Sequence, residues 1–175
     1  MDTDFLKLAA ARYSVRKFRP DPVEPEKLDL IILRAGNLAP TACNLQPQRI
    51  LVLSSEESLD KMRRCTRCHF NAPAALLVCY HREECWKREY DEKSSGDIDA
   101  SIVTTHMMLE AASLGIGSTW VMYFNPEAVR EEFEVPEHLE PTALLVLGYP
   151  AEDAKPSPRH TESRPLEELV VWEHF

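Results

Sequence analysis

The chain has 175 residues, 44% of them hydrophobic and 28% charged, with a formal net charge of −9. That is enough chain for one domain over residues 1–175, of ordinary globular composition, and the acidic balance excludes a nucleic-acid partner, which needs a basic surface. No apolar run can span a bilayer and Met1-Asp2-Thr3-Asp4 does not begin a signal peptide, so we expect no membrane partner, a cytoplasmic location and thiols at all five cysteines.

Asp4 to Ala11 predicts a short helix that delivers Arg12-Tyr13-Ser14-Val15-Arg16. In extended backbone Arg12, Ser14 and Arg16 point the same way. Two forked guanidinium groups and a hydroxyl suit a phosphate; the plain alternative is a set of solvated surface residues. Pro20, Pro22 and Pro25 then break the chain. A helix follows from about Glu26, with Leu28, Ile31, Ile32 and Ala35 on one face and Gly36 as its stop. The loop Ala39-Pro40-Thr41-Ala42-Cys43-Asn44-Leu45-Gln46-Pro47 is dense in amide, hydroxyl and carbonyl groups. It can read the polar edge of a flat heterocycle, or it is a plain connector. Together the two stretches suggest a nucleotide-like cofactor.

Ile50 to Leu53 predicts a buried strand, and Ser54 with Glu57 a capping box for a helix through about Arg64. Cys65-Thr66-Arg67-Cys68-His69 has the pattern of c-type haem attachment, which the missing export signal argues against. Zinc is the better rival, with Cys79 or Cys85 completing a site, although Cys79 lies in the apolar run Ala74 to Tyr80, a second buried strand. Residues 82–96 read as a surface excursion. The longest helix runs from about Asp97 to Leu114 and closes at Gly115, with Ile98, Ile102, Thr105, Leu109 and Ala112 on one face. His106 within it packs, or faces a cofactor or a subunit seam. Ser118 to Phe124 is strand-like. Asn125-Pro126 pairs an N-cap with proline at the first helical position, and Arg130 to Glu134 reads as a solvated helix face. Ala143 to Leu147 is a third strong strand, ended by Gly148-Tyr149-Pro150. The tail is polar and proline-rich until Leu166 to Trp172, which is apolar enough to dock on something. Interleaved helices and strands give a mixed α/β layer fold.

In order and spacing these features resemble the FMN-dependent nitroreductase family along most of the chain. The matching pieces are Arg12-x-Ser14-x-Arg16 with Lys17-Phe18, Pro40-Thr41-Ala42-x-Asn44-x-Gln46-Pro47, Asp97-x-Asp99, Leu114 to Trp120, Leu147 to Pro150, and Arg164 to Glu168. The resemblance implies an α+β fold with a mainly antiparallel central sheet flanked by helices. It also implies a C-terminal tail exchanged in a homodimer, with FMN sites at the interface. Arg12, Tyr13, Ser14 and Arg16 would take the FMN phosphate and ribityl region. Pro40, Thr41, Ala42, Asn44 and Gln46 would approach the isoalloxazine ring from the partner copy. Trp120, Val121 and Met122 would lie along its face and edge, Trp120 reading equally as core. A basic tail residue would close on the phosphate, either Arg164, which precedes Pro165-Leu166, or Arg159.

The implied activity is reduction of a small aromatic, nitro- or quinone-like acceptor by NAD(P)H in alternating half-reactions, with hydride passing through the flavin. That cycle needs no side-chain acid, base or nucleophile, so no catalytic residue and no metal is named. Met122 stands where members often carry an acidic residue. This departure motivates an alternative, a flavin-binding protein with little turnover; a zinc-binding interaction module on Cys65 and Cys68 is a third reading.

Overall fold

Two apolar runs build the centre of the sheet. The computed structural model describes residues 4–175, without the side chains of Ile32 and Leu33; the leader reading at Met1 to Thr3 and the place of Ile32 on its helix face lie outside it. The strands are β1 (Gln48–Leu53), β2 (Ala74–His81), β3 (Gly117–Val121) and β4 (Leu139–Gly148). All neighbours pair antiparallel, in the order β1-β2-β4-β3. β2 and β4 lie side by side in the middle, with Leu76 opposite Leu145, and both are buried over most of their length.

Strand alternation then makes two cores. Leu76, Val78, Leu145 and Leu147 face one layer, and Leu77, Cys79, Leu144 and Val146 face the other. The first layer is closed by α4 (Gly96–Ser113), by α2 (Pro25–Asp29) and by its wider-turned continuation Leu30–Gly36. The second is closed by α3 (Glu56–Cys65) and α5 (Pro126–Phe133). Two short helices, α1 (Asp4–Ala11) and α6 (Leu166–Leu169), bury no residue. The expected α+β fold with helices on both sheet faces is the one observed.

Several local expectations change. β1 is an edge strand rather than a buried one: among the described residues no strand pairs beyond it, and Leu51 and Val52 are exposed. The cap of α3 is Ser55, not Ser54. Ser55 is the last extended residue before the helix, and its hydroxyl accepts from the Ser58 N–H at 3.2 Å. β3 stops at Val121, so Met122 to Phe124 leave the sheet. Asn125 does cap α5, accepting from the Glu127 and Ala128 N–H groups. The face of α5 is not merely solvated: Arg130 bonds Glu140 of β4 at 2.9 Å and Glu132 pairs with Arg64 of α3 at 2.5 Å.

The largest correction concerns α4. Its buried stripe is Ala100, Val103, Met107 and Ala111, while Ile98 is 52% exposed and Ile102, Thr105, Leu109 and Ala112 are only partly covered. Both stripes are apolar, and the small alanines let their own face lie closest to the sheet. Ile98, Ile102 and Thr105 of the outer stripe line an open groove of about 460 Å³ with Asp97, Ser101 and His106.

Candidate functional site

The Arg12–Arg16 segment is fixed against the open edge of β3. Ser14 forms a parallel bridge with Ser118, and the Val15 N–H donates to the Ser118 carbonyl at 3.0 Å. Thr119 Oγ1 donates in return to the Val15 carbonyl at 2.5 Å. The approach requires glycine at 117, where a Cβ would sit 2.7 Å from Val15 Cγ2. Val15 is buried, so alternation turns Ser14 and Arg16 to the opposite side. Among the described residues, the Arg12 side chain has no hydrogen-bond or ion-pair partner. Among the same residues Arg16 Nη1 reaches only the Ser14 carbonyl, at 3.2 Å. Two guanidinium groups with no carboxylate between them are open to an anion.

The tail comes back to the same segment. Tyr13 donates to the Ala154 carbonyl at 3.5 Å, and its ring meets that of His160 edge-on at 6.2 Å. His160 Nε2 lies 3.1 Å from the Ala10 carbonyl. The short turn Pro158–Thr161 therefore carries Arg159 to this end of the molecule, exposed and without a partner among the described residues. Arg164 instead pairs with Glu168 at 3.6 Å.

The polar loop is held by one buried carboxylate. Asp99 is 2% exposed; its Oδ1 accepts from the Ala42 N–H at 2.9 Å and its Oδ2 from the Ser95 hydroxyl at 2.7 Å. Thr41 Oγ1 accepts from the Gln46 N–H at 3.1 Å, and Gln46 Nε2 donates to Asn44 Oδ1 at 3.1 Å. The Pro47 carbonyl accepts from the His81 N–H at 2.8 Å. These anchors hold Cys43, Asn44 and Gln46 at φ 51, 55 and 52°, left-handed conformations that cost of order 1–3 kcal/mol each outside glycine. Pro40, Asn44 and Gln46 are exposed along the loop, Thr41 and Ala42 half-buried. The anchoring role of Asp99 was missed in the sequence. The available signal was spacing: Asp99 leads the four-residue series Val103, Met107, Ala111, and an acid on a buried stripe needs partners.

The two stretches do not meet within one chain. The loop is tied to Asp99 near the start of α4, whereas the Arg12 segment shares a cavity of about 170 Å³ with Ala112 and Gly115 to Ser118 at its end. Asp99 and Ala112 stand roughly 20 Å apart along the helix axis at 1.5 Å per residue. Of the expected ring residues, Trp120 packs in the α4-side core with its indole Nε1 buried and lacking a partner among the described residues. Val121 points into the opposite core, which leaves only its backbone for a ligand, and Met122 is 73% exposed.

The cysteines form no centre. Cys65 Sγ donates to the Lys61 carbonyl at 3.3 Å and Cys85 Sγ to the His81 carbonyl at 3.2 Å. Burial pushes the Cys65 and Cys79 thiols up to about 11. Among the described residues no group of three or more His, Cys, Asp or Glu side chains can hold a metal ion, so the zinc reading has no site.

An open arginine pair and a strained, anchored amide loop are thus the two candidate ligand-binding features of this α+β sheet protein. The chain belongs to the nitroreductase family, whose model matches residues 9–75 and 64–149. It is similar to a nitroreductase family protein of Clostridium difficile 630, with 42% identity, a TM-score of 0.92, and 99% of this chain and 100% of that one covered. An NADH dehydrogenase of Thermus thermophilus is 31% identical over 94% of this chain and 93% of its own. An FMN-dependent nitroreductase of Clostridium difficile R20291 is 27% identical with a TM-score of 0.78, covering 96% of this chain and 98% of that one.

Proposed function

We propose that two copies of this chain hold two FMN molecules between them and pass electrons from NAD(P)H to a small aromatic, nitro- or quinone-like acceptor in alternating half-reactions. The protein is an NAD(P)H-dependent flavin oxidoreductase that uses FMN, as its family membership and relatives establish. One observation supports the composite site: the Arg12 segment and the 39–47 loop lie at opposite ends of α4, and in this reading one copy supplies each to a different cofactor.

In this reading Arg12, Ser14, Arg16 and the tail's Arg159 hold the phosphate, with Tyr13 fixing the tail over them. The partner copy presents Pro40, Thr41, Ala42, Asn44 and Gln46 to the ring edge. The Trp120 indole and the backbone of Val121 and Met122 border the ring. The flavin supplies hydride acceptance and release; the chain supplies binding, orientation and a dry wall. The outer face of α4 and the exposed Leu166, Leu169, Val170, Val171 and Trp172 of the tail are apolar surface of the kind a second copy covers.

Purified protein should be yellow with stoichiometric FMN, and NAD(P)H should bleach it without oxygen. Colourless protein that cannot be reconstituted with FMN refutes the proposal. Yellow protein that NAD(P)H cannot bleach selects the flavin binder with little turnover.

A further inference from the structure

The Cys65-to-His69 motif has no part in the site described so far, yet it is fastened to the segment that leaves β3. The Thr66 hydroxyl donates to the Tyr123 carbonyl. The Asn125 N–H donates to the Cys65 carbonyl at 2.9 Å, and the Cys68 N–H to Thr66 Oγ1 at 3.0 Å. What this presents is Arg67. Its guanidinium carbon lies 4.7 Å from the centroid of the Tyr123 ring, and among the described residues it has no carboxylate partner. Its neighbours on α3 differ: Arg63 is paired with Glu56 and Asp60, and Arg64 with Glu132. Tyr123 is 61% exposed and directly follows the exposed Met122. A flat cation, stiffened by stacking, thus lies against Tyr123, the residue directly after the segment assigned to the flavin ring.

We infer that Arg67 and Tyr123 form an acceptor subsite that selects flat substrates bearing an anionic group such as a carboxylate. The guanidinium pairs with the anion through its forked N–H groups, and the phenol ring extends the stacking surface. Met122 fits the same chemistry. At this exposed position an uncharged thioether leaves the approaching anion unrepelled. On a chain of net charge −9, an anionic acceptor needs such a local cation. The inference rests on the proposed course of the flavin along Trp120 to Met122.

The test separates the two half-reactions of the holoenzyme by anaerobic stopped flow. Reduced protein is reoxidised with 4-nitrobenzoate or with its uncharged methyl ester. The expected result is a preference of about tenfold for the carboxylate, the size of one hydrogen bond to a charged group, expressed mainly in KM and shrinking as salt is added. Arg67→Met removes the preference, Arg67→Lys keeps part of it, and neither changes FMN content or the rate of flavin reduction by NAD(P)H. Three outcomes overturn the inference: no carboxylate preference in the native protein, a preference unchanged in Arg67→Met, or a variant defect confined to the NAD(P)H step, which assigns the cation to the donor. Each of these is read on yellow protein, whereas colourless protein removes the flavin assignment itself.

Discussion

Replacing Asp99 tests the link between packing and the cofactor site. The Asp99 carboxylate is almost fully buried and accepts two hydrogen bonds, one of which holds the backbone of the loop proposed to meet the flavin ring. Asp99→Ala strands the Ala42 N–H and the Ser95 hydroxyl. Two hydrogen bonds to a carboxylate at about 1.5–3 kcal/mol each put the loss at roughly 3–6 kcal/mol, or about 6–24 °C in Tm for a chain of this size. The effect on the ligand is larger in consequence. Cys43, Asn44 and Gln46 are held left-handed at a strain of order 1–3 kcal/mol each, so a loop freed from Asp99 relaxes and FMN affinity falls at least about tenfold. Asp99→Asn keeps an acceptor for the Ala42 N–H, costs about 1 kcal/mol and leaves affinity near native. Differential scanning calorimetry and flavin fluorescence titration read the two effects separately. A folded Asp99→Ala protein with native FMN affinity refutes the reasoning.

Two other predictions concern charge and protons. Arg12→Ala and Arg16→Ala should each weaken FMN by roughly tenfold or more, the loss of one charge-assisted hydrogen bond, while leaving riboflavin affinity unchanged; equal losses for both ligands would deny the pair its phosphate. The Cys65 and Cys79 thiols are raised from 9.0 to about 11 by burial, so iodoacetamide at pH 8 should label exposed Cys43 rapidly and spare Cys65 and Cys79 in mass spectra of the folded protein. The sign of the linked stability follows: between pH 9 and 11 the unfolded chain has lost protons that the folded one still holds. Chemical denaturation should therefore show stability falling as pH rises through that window, and a flat profile would contradict the burial.

Central elements were legible in the sequence because their signals are local. The uninterrupted apolar runs of β2 and β4 announce strands covered on both faces, and Asn125-Pro126 marks the start of α5 by its own capping chemistry. What was not legible depends on neighbours far away in the chain. β1 is as apolar at Ile50 to Leu53 as a central strand, and only its place at the sheet edge exposes Leu51 and Val52. α4 is apolar on two stripes, so periodicity alone could not say which one meets the sheet. The arginine pair and the amide loop were visible as candidates. Their separation along α4, and the buried carboxylate that fixes the loop, required the tertiary arrangement. Val121 shows the converse, since a residue chosen for the ring points its side chain into the core.

Subunit complementation tests the two-copy site most directly. An Arg12→Ala/Arg16→Ala chain and an Asn44→Ala/Gln46→Ala chain, each defective alone, are co-expressed under different tags. If each cofactor takes its phosphate contacts from one copy and its ring contacts from the other, random pairing restores FMN to about a quarter of all sites, one intact site in each mixed dimer of a two-fold assembly. If both stretches serve the same cofactor from one chain, the mixed dimers bind no more FMN than the two parents, and the composite site is wrong.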